Sequence, residues 1–307
     1  MDRSKSVYRN LYKNRSLILM VLPPTVFFLI FSYLPMAGMV VAFKKFNYTD
    51  GLFRSPWCGF ENFKFFFIGG KALKVMFNTV AYNFAFIVTG LVVQVAAAIF
   101  LSEIGSRYFK KITQSMMFLP YFLSWVVVGA FIYNIFNYEY GSLNTLLKSL
   151  NMEPVNVYEQ IWLWKFILVA CNTWKWTGYG SLIYLAAIMG IDNQLFEAAE
   201  IDGASKFHKI RHITIPMITP QIIVLTIMAV GRIFRGDFGM FYQVTGNNPL
   251  LFSTTDVIDT YVFRALLDLQ DFGMASAAGM LQSVLCFFFL LFTNAIVRKV
   301  DKSYALF

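Results

Sequence analysis

EAAEIDGASKFHKIRHITIP, residues 197–216, is the stretch whose reading decides the fold: a polar, charged segment set between two strongly apolar ones. It reads as two short helices. Asp192 or Asn193 can cap the first, Leu195, Ala198, Ala199 and Asp202 follow at helical spacing, and Gly203 stands where a helix C′ residue needs a left-handed backbone. Ser205 can cap the second, with Phe207, Ile210 and Ile213 or Thr214 on one face, flanked by Lys206, Lys209 and Arg211. Pro216 fits the first turn of a following helix, where a missing N–H does no harm. The pattern exposes an apolar strip edged with charge. Two uses suit it: an amphipathic helix lying on lipid head groups, or a docking surface. In the second, Ala198 and Ala199 admit a close backbone and Glu197 offers a fixed acceptor.

The surroundings say where such a segment sits. The chain has 307 residues, 58% hydrophobic, 18% aromatic and only 14% charged, a composition that excludes an ordinary soluble domain. A membrane helix needs roughly 20 apolar residues. Six windows qualify, at 17–43, 76–101, 115–137, 163–188, 216–235 and 272–297, with Arg232 and Arg235 ending the fifth, where they can snorkel to the interface. The expected fold is all-α and polytopic. The basic N-terminus leads into a long apolar run with no small-residue cleavage site, so the first helix is read as retained. Cys58, Cys171 and Cys286 form no C-x-x-C pair and support neither a disulfide framework nor a metal cluster. His208 and His212 stand four apart without a third ligand or an H-E-x-x-H pattern.

An even number of spans puts both termini on one side. The loops on that side carry 14 Lys/Arg against 11 over longer loops on the other, with Lys44, Lys45, Lys71 and Lys74 opposing the bias, and the termini are read as cytoplasmic. The net charge of +9 is then mainly a topology signal, with anionic lipid as a partner and nucleic acid excluded for want of a basic or aromatic-basic motif outside the spans. Expected segments are a cytoplasmic N-terminal piece, 1–16, a six-helix membrane domain, 17–297, containing the loop 189–216, and a cytoplasmic tail, 298–307.

Glu197-Ala198-Ala199, three residues, Gly203, nine residues and Ile213-x-Ile215-Pro216 resemble the EAA loop of permease subunits of ATP-binding-cassette (ABC) importers, with Ile215 in place of the usual leucine. The likeness covers nearly the whole chain. WKWTGYGSLIYLAAIMGIDNQLFEAAEIDGAS (174–205), MFLPYFLSWVVVGAFIYNIFNYEYGSLN (117–144), LPPTVFFLIFSYLPMAGMVVAFKKFNY (22–48) and DVIDTYVFRALL (256–267) are similar to the carbohydrate branch, the LplB-like polysaccharide permeases. The resemblance implies a type I importer permease in a bacterial cell membrane. It implies coupling to ATPase subunits through Glu197, Ala198, Ala199 and Gly203, with Ile213, Ile215 and Pro216 anchoring the loop to the next helix. It also implies partners: a second homologous permease, two ATP-binding subunits and an extracellular solute-binding protein delivering a sugar, expected to be an oligosaccharide. No cofactor is expected on this chain, since no G-x-x-x-x-G-K-[ST] loop occurs and ATP and Mg belong to the partners; it is not itself an enzyme.

A sugar path needs aromatic faces and hydrogen-bonding side chains in a cavity shielded from lipid. Trp174, Lys175, Trp176, Tyr179 and Tyr184 on the fourth span are candidates, the other reading being an aromatic belt with Lys175 snorkelling. Asn83 and Gln94 on the second span and Tyr121, Ser124, Trp125 and Asn134 on the third are further candidates, or else helix-to-helix hydrogen-bond groups. Arg232 and Arg235 with Asp237 suggest an ion-paired constriction or a structural salt bridge. Small residues four apart, Gly273 with Ala277 and Ala275 with Gly279, suggest close packing of the last helix. Residues 258–269 read as an outer-surface helix with Asp256, Asp259 and Asp268 toward water. An ion-gradient-driven secondary transporter is the alternative, opposed by the lack of carboxylates in mid-span.

Overall fold

The computed structural model describes residues 13–66, 70–302 and 305. Among these the regular structure is helical, with one isolated β-bridge, Lys44 to Trp57. The helices that build the two sites and their supports are α1 (Arg15–Phe28), α2 (Lys71–Glu103), α3 (Arg107–Phe122), α4 (Trp125–Phe136), α5 (Leu163–Met189), α6 (Asn193–Ile201), α7 (Lys206–Lys209), α8 (Ile215–Val230), α9 (Phe238–Val244), α10 (Ile258–Leu269) and α11 (Phe272–Val300). The chain divides into two compact units, 1–65 with 265–280 and 66–264 with 281–307.

In the first unit α1 continues through a π turn, Leu29–Tyr33, and a 3-10 segment, Leu34–Phe43, into one rod of 29 residues whose apolar window buries nothing against the protein. Such a surface suits lipid, not water. The loop beyond it is tied down by Asn62, whose amide donates to the carbonyls of Ala42 at 3.0 Å and Lys44 at 2.9 Å. A methyl on Gly273 would lie 2.5 Å from that amide nitrogen, so this glycine is a packing site as its spacing suggests; at Gly279 nothing approaches within 4 Å. Lys44 is 5% exposed, and its amine donates to the carbonyls of Leu52 and Phe53, both at 2.9 Å. A lysine spent on structure opposes the topology bias less than the sequence count suggests.

The second unit is built around α5. Four helical rods among the described residues are long and apolar enough to cross a membrane, Arg15–Phe43, Lys71–Glu103, Lys206–Val230 and Phe272–Lys299, and the pair α3 and α4 makes a fifth if its two halves are one span. α5 is long enough, 27 residues or about 40 Å, but is more polar. Its polar side chains face protein: Lys175 and Ser181 are buried among Trp164, Leu168, Cys171, Tyr184 and Leu185, between α2 and α3. Close approach to α3 is bought with a glycine, since a methyl on Gly178 would fall 2.0 Å from the Met117 carbonyl oxygen.

The third expected span, 115–137, is broken by 95° between α3 and α4. Leu123 and Ser124 adopt extended backbone, and the Ser124 hydroxyl accepts from the Val127 N–H at 3.4 Å, capping α4. The break strands carbonyls at the end of α3 that no lipid can satisfy. Lys175 answers them: 6% exposed, it donates to the Pro120 and Tyr121 carbonyls, each at 3.3 Å, and to that of Leu123, with its ammonium 4.9 Å from the Trp125 ring centre. A cation at a helix C-terminus is also matched to the dipole. The fifth span stops at Val230, not 235, and at its other end runs unbroken into α7 through a π turn, Ile210–Thr214.

Lys175→Met should therefore strand the Tyr121 and Leu123 carbonyls, at about 1–3 kcal/mol each, and lower the melting temperature of the purified protein in detergent far more than Trp174→Met. Gly178→Ala should force α3 from α5 and be similarly disruptive, whereas Gly105→Ala, with nothing within 4 Å, should be close to neutral in the same measurement.

Candidate functional site

Two regions bring the expected residues together, a bent loop and a cavity. In the loop the Asp192 carboxylate caps α6, accepting from the Gln194 N–H at 3.0 Å. The helix ends in a Schellman motif: the Ala204 N–H donates to the Ala199 carbonyl at 2.8 Å, the Gly203 N–H to that of Glu200 at 3.0 Å, and Gly203 takes φ +75°. The Ser205 hydroxyl caps α7, accepting from the His208 N–H at 3.3 Å. Lys209 clamps the two arms with a 2.6 Å ion pair to Glu200, and Lys206 reaches Glu103 at the end of α2 at 3.3 Å. The Lys209 amine holds the Glu200 carboxyl below the usual carboxylate range.

The inner side of the loop is anchored by Phe196 and Ile213, packed against a core of Ala98, Leu101, Tyr184, Leu185, Ile188 and Ile218. Its other side is uncovered. Glu197, Ala198 and Gly203 are exposed, Ala199 is half-buried, and Leu195, Ile201 and Phe207 are 44%, 87% and 71% exposed. Ile215 and Pro216 are exposed, whereas Ile213 packs on this core and Thr214 beside it is buried, at the π turn Ile210–Thr214. Phe207 is exposed, while Ile210, with which it shares a helical face in sequence, is half-buried. The rings of His208 and His212 stack 4.0 Å apart, and the His212 Nδ1 lies 3.1 Å from the His208 carbonyl.

The cavity, of about 710 Å³, lies within the second unit among α2, α5, α8 and the turn after α8. Asn83, Trp176, Tyr179, Tyr184, Arg232 and Arg235 all line it, as expected, together with Gln94. Tyr121 borders it, stacked on Tyr179 at 4.8 Å and edge-on to Trp176 at 5.5 Å. Trp125 donates its indole N–H to the lining residue Asp237 at 2.7 Å. Asn172 and Thr226 were not singled out by sequence, although Asn172 precedes Trp176, Tyr179 and Ile183 at helical spacing, a signal that was there to be read.

Other candidates are structural. Trp174 is 48% exposed on another face of α5, and Lys175 is committed to α3, so neither lines the cavity and the aromatic-belt alternative does not describe the lysine. The Asn83 amide donates to the carbonyls of Ile233 and Arg235, both at 3.0 Å, fixing the turn after α8. Ser124 is a helix cap, and the Asn134 amide donates to its own helix at Ala130. Among the described residues no ion pair joins Arg232 or Arg235 to Asp237, whose carboxylate instead takes the Trp125 indole and caps α9 through the Met240 N–H at 3.1 Å. Asp256 and Asp259 are not toward water: Asp256 pairs with Arg264, and Asp259 accepts from the Gly236 N–H at 2.6 Å and from Gln282 at 3.1 Å. Burial pushes the Asp259 carboxyl up, against those hydrogen bonds and the Arg235 charge. Asp268 is exposed as expected.

Residues 90–302 match the family described as binding-protein-dependent transport system inner membrane component. The chain is 31% identical over 292 residues to the protein LplB of Bacillus subtilis (strain 168), covering 95% of this chain and 91% of that protein. It is 28% identical over 301 residues to the polygalacturonan/rhamnogalacturonan transport system permease protein YteP of the same organism, covering 98% and 93%. Among solved structures it superposes on a chain of a bacterial ABC transporter involved in the import of the acidic polysaccharide alginate, with a TM-score of 0.87, 30% identity, and coverage of 96% of this chain and 99% of that one. A second structure of the alginate transporter, in complex with its alginate pentasaccharide-bound periplasmic protein, gives a TM-score of 0.85. An all-helical polytopic architecture, a capped and exposed bend between two spans, and this family match over most of the length together establish that the chain belongs to the binding-protein-dependent transport system inner membrane component family.

Proposed function

We propose that the chain is the membrane permease subunit of an ATP-driven importer that moves a sugar, an oligosaccharide, across a bacterial cell membrane by alternating access. It pairs with a second, homologous permease. Two ATP-binding subunits, holding ATP and Mg, grip the loop 189–216 from the cytoplasm, and an extracellular solute-binding protein delivers the substrate. Both termini lie in the cytoplasm: residues 1–16 precede a six-helix membrane domain, 17–297, and 298–307 form a tail, with 1–12, 67–69, 303, 304, 306 and 307 outside the described residues. Glu197, Ala198, Ala199 and Gly203 form the coupling surface, and Ile213 ties it to the spans.

The observation that carries this reading is the exposed face of the loop. Ile201 at 87% and Phe207 at 71% exposure, beside the exposed carboxylate of Glu197, are uncovered by the chain itself, while the opposite side is locked into the core shared by α2, α5 and α8. A surface apolar outside and rigidly mounted inside suits transmission of force from a bound protein. Support for a sugar comes from the cavity, where Trp176 and Tyr179 offer aromatic faces and Gln94 and Asn172 offer amides, and from the glycans named for the similar proteins.

The test is substrate-stimulated ATPase activity of the reconstituted complex. Ile201→Asp or Phe207→Asp should abolish co-purification of the ATP-binding subunits while the permease still inserts. Gly203→Val places a β-branched residue at φ +75°, about 1–2 kcal/mol, and should cut stimulated activity roughly tenfold with the complex still assembled. Full stimulated activity in all three variants would refute the coupling role. Glu200→Gln should loosen the bend, visible as faster amide exchange at Gly203 and Ala204 at neutral pH. The Lys209 clamp lowers the Glu200 carboxyl, so its contribution is present above the ordinary carboxylate range and lost only as pH falls through the lowered value.

A further inference from the structure

The turn after α8 presents two cations to the cavity, Arg232 and Arg235, against one lining carboxylate, that of Asp237. Arg232 and Arg235 are both exposed and both line it. Their backbone is fixed: the Arg232 N–H donates to the Ala229 carbonyl at 3.0 Å, the Arg235 N–H to that of Arg232 at 2.9 Å, and Asn83 holds the carbonyls of Ile233 and Arg235. The nearby carboxylates accept hydrogen bonds from neutral groups, Asp237 from Trp125 and Met240, Asp259 from Gly236 and Gln282, and Asp259 is near enough to feel the Arg235 charge without an ion pair. Among the described residues neither arginine makes an ion pair, and the guanidinium of Arg235 has only a long hydrogen bond, 3.4 Å, to the Ser283 hydroxyl. By contrast Arg264 is paired with Asp256. The lining thus carries two guanidiniums against the single, already engaged carboxylate of Asp237.

A guanidinium in a membrane protein is costly unless it faces water or an anion, and its planar fork matches a carboxylate better than it matches neutral hydroxyls. We propose that Arg232 and Arg235 make this permease selective for acidic saccharides, with the carboxylates of uronate units held at the turn while Trp176 and Tyr179 take the sugar rings and Gln94 and Asn172 their hydroxyls. The proposal rests on the importer function above and adds the chemical class of its substrate. Lysine can replace the charge but not the two-pronged geometry, so it keeps part of the selectivity; glutamine keeps none.

Proteoliposomes containing the complete complex, with the partner permease, the ATP-binding subunits and the binding protein, are loaded with ATP. They are offered equimolar mixtures of oligouronates from pectin and alginate digests and the same oligomers with their carboxyls reduced to alcohols; accumulated species are counted by mass spectrometry. The acidic form of at least one backbone should accumulate about tenfold over its reduced form. That ratio should collapse to less than threefold in Arg232→Gln/Arg235→Gln and stay intermediate in Arg232→Lys/Arg235→Lys. Preference for neutral forms, or an acidic preference unaltered in the glutamine variant, overturns the proposal and leaves the importer reading standing. So does loss of the partner permease from the glutamine variant with the ratio unchanged, which assigns the arginines to subunit pairing. Absence of ATP-dependent accumulation of any saccharide in the wild type overturns the sugar reading as well.

Discussion

A buried ammonium group holds the centre of this protein together. The third span cannot bend by 95° inside a membrane unless something satisfies the carbonyls that the bend releases, and Lys175 does so for Pro120, Tyr121 and Leu123 at once. The rest of the second unit follows from that bend. α4 turns away from α3 and packs against α9 so closely that a methyl on Gly129 would lie 2.4 Å from the Gln243 carbonyl oxygen. Trp125, at the start of α4, then meets Asp237, and the cavity acquires the wall formed by the turn after α8. A lysine that looks in sequence like a ligand for a solute is instead the group that closes the broken end of α3.

The same economy links the bend at 197–216 to that cavity. The loop is braced by a Schellman motif at Gly203, a Glu200–Lys209 clamp, and an ion pair from Lys206 to the end of α2. Because α7 runs through a π turn into α8 without a break, a displacement of the loop displaces α8, and α8 contributes Leu225, Thr226 and Ala229 to the cavity wall. Tyr184 belongs both to the core beneath the loop and to the lining. On the proposed orientation these are the mechanical connections by which an ATP-binding partner reopens the cavity on the other side, through packed and hydrogen-bonded elements and not through one hinge.

The polar groups of the membrane domain divide by what their hydrogen bonds are used for. Asn62, Asn83, Asn144 and Lys175 close backbone carbonyls at breaks and loops; the Asn144 amide, for instance, donates to Tyr138 and Val155 from a site 1% exposed. These are the costs of irregular backbone in an apolar solvent, met locally. What remains toward the cavity is a different set, aromatic rings, amides and two guanidiniums, and it is this remainder that has chemistry to offer a solute.

The sequence alone determined the membrane class, the all-helical fold and the bent loop with its caps, because each rests on local properties: apolar length, helical spacing, a glycine at a left-handed position, a serine or aspartate immediately before a helix. It also named eight of the nineteen residues that line the cavity, among them Trp176, Tyr179 and Tyr184 on one helix. Only tertiary structure decided the role of each polar residue. Lys175 and Trp174 are neighbours in sequence and one is a buried helix cap, the other exposed; Asn83 is committed to a turn some 150 residues away. Ile215 matched a motif and is exposed, while Ile213, two residues earlier, packs on the core. Arg232 and Arg235 read as partners for Asp237, yet among the described residues no ion pair joins them, and the carboxylate accepts instead from the indole of a tryptophan 112 positions earlier. Partners in a hydrogen bond are chosen by proximity in space, and nothing in local spacing records which distant carbonyl or indole the fold will bring near.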